Sequence, residues 1–267
     1  MVPDLAELLR LAVTATTEAG AFLLDGRGAV RTVSTKSSAT DMVSEMDQGA
    51  EQLIRRRILA ERPGDNILGE EEGELAGAGP ATGVRWIVDP LDGTTNYLYG
   101  LPAWCVSVAA EVDGAVVAGA VCDAVHDELW AATLGGGAAC NGVALPMLSG
   151  GGDLATALVA TGFSYAAERR EPQGLIAAHV VARVRDLRRA GAAALDLCWV
   201  AAGRVDAYYE EGTRPWDRAA GGLIATEVGA EVTGLVGGMA TDTGVLAARP
   251  AIAVALRTLL AEAGAVG

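Results

Sequence analysis

An α+β fold of stacked helical and sheet layers is predicted by three features of this 267-residue chain. Helical periodicity governs the N-terminal part, apolar strand patterns cluster in the middle, and helix and strand signatures then alternate to the C-terminus. This order differs from the strict strand-helix repetition of a doubly wound sheet.

Leu5, Leu8, Leu9, Ala12, Ala15, Ala19 and Phe22 recur at helical spacing, as do Met46, Ala50, Leu53, Ile54 and Ile58. Two helices are therefore expected ahead of the first strand. Ser44 followed three residues later by Asp47 matches a capping box at the start of the second. Asn66-Ile67-Leu68-Gly69 then reads as a short strand running into Glu70, Glu71 and Glu72. Further strands are expected at Arg85 to Asp89, Val106 to Glu111, Ala115 to Asp123 and Glu128 to Ala132, with Asp113-Gly114 as a hairpin turn. Beyond these come a strand near Ala157, a helix near Arg169 to Val184 and a helix near Ala193 to Ala202. A strand at Ala207 to Glu210, a helix from Arg218 to Val228 and a terminal helix after Pro250 complete the order. With no repeat or linker in view, residues 1–267 read as a single domain of two packed halves, with the break near 145–155.

Composition narrows the function classes. Apolar residues make up 51% of the chain, ample for a core. A formal net charge of −14 argues against a nucleic-acid partner, which needs a basic patch. Cys105, Cys122, Cys140 and Cys198 are widely spaced without a CxxC pair, as expected of reduced structural thiols in a cytoplasmic protein. Asp4 and Glu7 precede any long apolar run, which argues against a signal peptide. Leu129 to Gly152 carries no charge, yet its seven glycines make it a poor membrane span, so no membrane association is expected.

The chemistry concentrates in Trp86 to Tyr97, WIVDPLDGTTNY. Asp89 and Asp92 flank Pro90 and Leu91 on a turn that can aim two carboxylates and the Leu91 carbonyl at one point, an oxygen-rich set suited to Mg²⁺. Asp, Pro, Gly and Asn are equally turn residues, and Asp or Thr can cap a helix, so the turn alone leaves both readings open. Two more acids stand at expected element ends: Glu70 after its strand, and Asp217 in Arg214-Pro215-Trp216-Asp217 ahead of a small-residue helix. A helix cap would explain Asp217 by itself. Three separate acidic element ends favour a metal site for phosphate-ester hydrolysis.

The strings ILGEE, WIVDPLDGTTNY and PWDRAAGGLIATEVGA, with KSSATDMVSEMD at Lys36 to Asp47 and AGAAALDLCWVAAGRVDAYYE at Ala190 to Glu210, resemble the inositol monophosphatase family over roughly residues 5 to 260. The resemblance implies a layered αβαβα sandwich of the Mg-dependent, lithium-sensitive sugar phosphatase superfamily, usually a homodimer. It implies that Glu70, Asp89 and the Leu91 carbonyl hold one Mg²⁺, that Asp89, Asp92 and Asp217 hold a second, and that a weaker third can lie beside Glu70. It points to Thr94 and Asp47 as the pair that activates water. Lys36 and Asp41 occupy family-like positions near the site. The polyol-contacting positions fall on Asp92, Gly191, Ala192, Ala193 and Glu210, and Arg214, which stands where many animal members carry a histidine, is expected with them on the substrate side. Ser164 is a looser candidate for substrate contact.

Magnitudes fit that chemistry. Enzymes accelerate phosphate-monoester hydrolysis by up to ~10²¹-fold, more than about 25 kcal/mol at ~1.36 kcal/mol per decade. A positioned general base contributes only about 10²–10⁴-fold. Most of the effect must be electrostatic stabilisation and alignment, which two ions about 3.5–4 Å apart can provide. Bound cations also reverse the sign of an acidic pocket, so the strongly negative chain can still take a phosphate. Gly93, Thr94 and Thr95 lie where backbone N–H groups at a helix start can hold phosphate oxygens. The expected substrate is a small phosphate ester, foremost myo-inositol 1-phosphate. Fructose 1,6-bisphosphate and histidinol phosphate are alternatives within the superfamily, and a regulatory transcription-associated binding protein is an alternative from another class.

Overall fold

The structure is a computed structural model that describes residues 3–27, 33–36 and 42–266. Helix α1 (Leu5–Gly26) begins at Asp4, whose carboxylate accepts from the Ala6 N–H at 2.9 Å. Its apolar stripe buries Leu8, Leu11, Ala12, Ala15 and Ala19. An antiparallel hairpin of β1 (Val33–Thr35) and β2 (Met42–Ser44) follows, and then α2 (Glu45–Glu61). The hairpin corrects the expectation of two helices ahead of any strand. Three-residue strands carry too few alternations to register as a period.

An eight-stranded sheet comes next, made of β3 (Asn66–Gly69), β4 (Gly73–Leu75), β5 (Val84–Asp92), β6 (Cys105–Val112), β7 (Ala115–Asp123), β8 (Glu128–Thr133), β9 (Gly137–Cys140) and β10 (Val143–Ala144). Its spatial order is β10-β9-β8-β7-β6-β5-β3-β4, with only β3 and β5 parallel. The short helix α3 (Thr94–Leu98) lies between β5 and β6. The β6–β7 turn is the expected Asp113-Gly114 pair, with φ of +51° and +81°, the double left-handed geometry that suits strand twist.

The C-terminal half supplies a five-stranded sheet of β11 (Leu158–Thr161), β12 (Asp186–Arg188), β13 (Ala207–Glu211), β14 (Glu231–Thr233) and β15 (Gly244–Ala248), in the order β12-β11-β13-β15-β14. Around it stand α4 (Ala167–Val181), α5 (Ala193–Ala201), α6 (Pro215–Glu227) and α7 (Pro250–Glu262). Three apolar cores separate five layers. Leu11, Ile54, Trp86 and Val108 pack α1 and α2 against one face of the large sheet. Ile87, Val121, Leu197, Ile224 and Tyr208 fill the middle, where α5 and α6 lie between the two sheets. Val159, Val180, Leu246 and Leu256 seal α4 and α7 onto the outer face of the small sheet. The order is αβαβα.

Alternation along β5 sets up the site. Trp86 and Val88 enter the core shared with α1 and α2, whereas Ile87 faces α5 and α6. Asp89, two residues after Ile87, therefore points toward the middle helical layer. Pairing then breaks: Asp89 stands opposite Ser107 and Asp92 opposite Cys105, a step of three residues against two. Pro90 has no N–H to give the ladder, and the resulting bulge re-aims the carboxylates around it. All four cysteines are free. Among the described residues no helix is long and apolar enough to cross a membrane.

Candidate active site

Glu70 directly follows β3, and its N–H donates to the Val88 carbonyl at 3.2 Å, continuing the parallel ladder. Glu70 and Asp89 thus leave neighbouring strand ends side by side. The turn behind Glu70 hangs on Glu51 of α2, a fully buried carboxylate that accepts from the N–H groups of Glu71 at 2.8 Å and Glu72 at 3.0 Å. Arg55 neutralises it at 2.9 Å and reaches on to the Gly73 carbonyl. Gly69 is required here, because a Cβ would stand 2.2 Å from Glu51 Oε1.

Past the bulge, Gly93 takes φ of +92°, and a Cβ there would meet the Ala103 carbonyl at 2.8 Å. This tight start to α3 turns the Thr94 hydroxyl inward, where Oγ1 lies 2.8 Å from Asp47 Oδ1 and 3.1 Å from the Leu91 carbonyl. A hydroxyl has one proton, and the bond to the carboxylate is the stronger use of it. Asp47 is at the same time the reciprocal half of a capping box, accepting from the Ser44 N–H at 2.8 Å and the Ser44 hydroxyl at 2.5 Å. Capping and pairing with Thr94 are therefore both true of Asp47.

Asp217 enters from the first turn of α6 and accepts from the Arg214 N–H at 2.6 Å. Asp92 is held from the opposite side by the Ala194 N–H at 2.7 Å, at the start of α5. Glu210, on β13, accepts from the Tyr208 hydroxyl at 2.8 Å. A cleft is lined jointly by Glu70, Asp89, Asp92, Asp217 and Glu210, with Leu91, Gly93, Thr94, Gly191 and Ala193 around them.

Burial and mutual repulsion govern the electrostatics. Burial first, then the charges of Glu70, Asp92 and Asp217, hold the Asp89 carboxyl well above the usual carboxylate range. Asp217 is raised by burial and by Glu70 and Asp92. Burial pushes Asp92 up to about 7 while the backbone N–H of Ala194 pulls the other way. Lys36 is the cation at the rim, 2.8 Å from Glu70 and 2.5 Å from Glu71. Although burial opposes it, those two acids hold the ammonium above its ordinary range.

Such a crowd of buried acids is the donor set of a hard divalent cation. Among the described residues, no three acidic, histidine or cysteine side chains already stand in a metal-holding arrangement. The carboxylates share one cleft wall, and an ion would have to draw them together against Lys36. Because the folded carboxyls bind protons more tightly than the unfolded chain does, stability is full below their ordinary values and lost as pH rises through the folded ones. In a chelator the melting temperature should therefore fall as pH climbs from the ordinary 3.8 of Asp92 toward about 7. Saturating Mg²⁺ should flatten that slope. A chelated protein that grows more stable across the window would contradict it.

Of the residues singled out in the sequence, Glu70, Asp89, Leu91, Asp92, Gly93, Thr94, Gly191, Ala193, Glu210 and Asp217 line one cleft. Ala192 is buried at the N-cap of α5 instead. The Arg214 side chain turns outward to Asp242 at 2.9 Å and is not among the residues lining the cleft. The Ser164 hydroxyl accepts from the Ala166 N–H at 3.2 Å, and its neighbours Phe163 and Tyr165 are the residues of this loop that line the cleft. Asp41 lies outside the described residues. Arg189 was missed altogether, and it is the cleft's guanidinium, facing Glu210. An Arg188-Arg189 pair just before Gly191 was the only signal for it. Asp196 was missed as well, a buried acid on α5 with neither oxygen hydrogen-bonded.

Five layers around a cleft of strand-end and helix-start carboxylates define a family of phosphate-ester hydrolases, and comparison with known sequences agrees. The inositol monophosphatase family model matches residues 4–265, and the chain belongs to that family, which is generally Mg²⁺-dependent. An inositol-1-monophosphatase of Mycobacterium bovis is 51% identical over 213 residues, covering 78% of this chain and 72% of the relative. The solved structure of Mycobacterium tuberculosis SuhB superposes with a TM-score of 0.84 at 41% identity, covering 100% of both chains. A protein of Escherichia coli K12 named Nus factor SuhB is more distant, 39% identical over 233 residues and 86% of each chain.

Proposed function

We propose that this protein hydrolyses the phosphate monoester of myo-inositol 1-phosphate to myo-inositol and phosphate, using two Mg²⁺ ions, with a weaker third beside Glu70. The observation that carries the reading is the convergence of Glu70, Asp89, Asp92 and Asp217 on one cleft beside the Thr94–Asp47 hydrogen bond. The names of the mycobacterial relatives, inositol-1-monophosphatase, support the choice of substrate. Glu70, Asp89, the Leu91 carbonyl, Asp92 and Asp217 would hold the ions. When bound, Mg²⁺ supplies Lewis-acid polarisation of the phosphate and offsets the acids' repulsion.

The chain's own groups do the rest. Thr94, donating to Asp47, keeps its oxygen lone pairs free to accept from the attacking water and so aligns it, and Asp47 anchors the hydroxyl. Backbone N–H groups at Gly93 and the start of α3 face the phosphate oxygens. Glu210, fixed by Tyr208, accepts from hydroxyls of the polyol, and Ala193 and Gly191 leave room for its ring. The water oxygen bonds to phosphorus as the ester P–O bond breaks; one water proton stays with the phosphate and the other ends on the departing oxygen, which becomes the free hydroxyl of inositol.

A phosphate-release panel tests the substrate. Turnover of myo-inositol 1-phosphate should exceed that of fructose 1,6-bisphosphate and histidinol phosphate and vanish in a chelator; a reversed order would reassign the substrate. Glu210→Gln should raise KM for inositol phosphate several-fold with a smaller loss in kcat, since its contact is with the non-reacting part of the substrate. The opposite split would remove Glu210 from substrate recognition. A homodimer in a cytoplasmic setting belongs to the same reading, and sedimentation at working concentration checks the dimer.

A further inference from the structure

Two parallel strands of the small sheet part company at the edge of the acidic cleft. The β11–β13 ladder ends at Thr161 opposite Tyr209. Beyond that pair β13 runs on beside β15 through Glu210 and Glu211, while the other chain leaves β11 for a loop, 162–166, that leads into α4. Each segment brings side chains to the cleft, Glu210 from the strand and Phe163 and Tyr165 from the loop.

Gln173 fills the gap where the ladder stops. It is only 5% exposed, although α4 belongs to the outer layer. Its Oε1 accepts from the Ser164 N–H at 2.8 Å, and its Nε2 donates to the Glu211 carbonyl at 3.4 Å. The partners fix which end of the amide is which, since a backbone N–H only donates and a carbonyl only accepts. The side-chain amide thus stands where a peptide unit would stand in a continued sheet. One of its partners lies between the two cleft-lining aromatics, and the other adjoins Glu210. Gly162 brings the loop against that carboxylate directly, because a Cβ there would stand 1.8 Å from Glu210 Oε2. At the far end of the loop, Tyr165 is hydrogen-bonded to the Thr95 side chain of α3.

We propose that Gln173 is a positioning residue for the polyol half of the cleft: its amide clamps the loop carrying Phe163 and Tyr165 to the strand end carrying Glu210, and so sets the room left for a hydroxyl-bearing ring. Gln173 itself touches neither substrate nor ions. Its consequence for the substrate rests on the polyol site proposed above; the clamp does not. Removal of the amide deprives the Ser164 N–H of its acceptor and the Glu211 carbonyl of a donor, and a buried backbone group left unpaired is costly. The loop then moves to satisfy its N–H in water, and the distance from the two aromatics to Glu210 is no longer fixed.

Two variants test this. Gln173→Met keeps the length of the side chain and removes both hydrogen bonds, whereas Gln173→Asn keeps the amide but is too short to reach both partners. At saturating Mg²⁺, Gln173→Met should raise KM for myo-inositol 1-phosphate about fivefold, the scale of one net hydrogen bond. Its kcat should stay within about twofold of the parent, because the lost interaction is with the non-reacting part of the substrate. The inhibition constant of inorganic phosphate, which lacks the polyol, should likewise stay within about twofold. Amide hydrogen exchange over residues 162–166 should quicken about tenfold as the loop opens locally. Gln173→Asn should fall between parent and Gln173→Met in KM and in exchange. An unchanged KM in Gln173→Met would overturn the proposal, and so would an equal weakening of inorganic phosphate or a fall in kcat to match, since a merely structural role moves all three. Should Gln173→Met not fold, Gln173→Asn is read in its place, and a parental KM there overturns the proposal. If the parent releases no phosphate from the inositol ester, the functional reading fails and exchange alone decides the clamp, which parental rates in the variant would overturn.

Discussion

Asp89→Asn is expected to lower kcat for phosphate release by about three decades, some 4 kcal/mol at ~1.36 kcal/mol per decade, while raising the melting temperature of the metal-free protein. The two effects have one cause. Asp89 is buried among Glu70, Asp92 and Asp217, and burial and their charge push its carboxyl well above the usual carboxylate range, so that ionising it costs stability. An asparagine keeps an oxygen to accept from the Leu91 N–H, now at 3.1 Å, and removes the repulsion. It also removes the ligand shared by both proposed ions. Addition of Mg²⁺ at ~100 times its dissociation constant should stabilise the parent by about 2.7 kcal/mol and the variant far less, so the two melting curves exchange order. A variant that melts below the parent in chelator would show that the acids are not in mutual opposition.

Thr94→Ala is expected to reduce kcat by about 10²–10³-fold with little change in KM, the scale of a positioned proton acceptor. Thr94→Ser should restore most of the rate, because the Oγ that lies 2.8 Å from Asp47 is retained. Near-normal turnover of the alanine variant at saturating Mg²⁺ would remove the pair from catalysis. Loss of Asp47 would be harder to read, since the same carboxylate caps α2 through Ser44.

The parts of this protein legible in its sequence are those whose determinants are local. Strand β5 and the turn after it show as an apolar run ending in Pro90, Gly93 and two acids, and the Ser44–Asp47 cap shows as a spacing. Those features delivered the acidic turn of the cleft and the cap of α2, whereas the Asp47–Thr94 pairing came from the family resemblance and not from any local pattern. Features set by distant partners did not show. The β1–β2 hairpin and β14 are three residues per strand and stabilised by pairing, not by pattern. Arg214 is expected near the substrate from the family resemblance, but its side chain pairs with Asp242, which lies 28 residues on in a turn without an apolar period. Arg189, Phe163 and Tyr165 reach the cleft from segments whose own composition says nothing of it. The middle core, assembled from both halves, brings them there.

Helix α2 holds two parts of the cleft at once: Asp47 in its first turn fixes Thr94, and Glu51, one turn later, suspends the segment carrying Glu70. The spacing between the Thr94 hydroxyl and the Glu70 carboxylate is thereby referred to a single rigid rod, with a rise of about 6 Å between its two attachment points. Thermal displacement of that rod moves both attachments together and leaves their separation intact. Tolerance in this site is a matter of common origin rather than stiffness, so helix α1 and the hairpin beside α2 can vary in sequence and packing without changing the separation of Thr94 and Glu70.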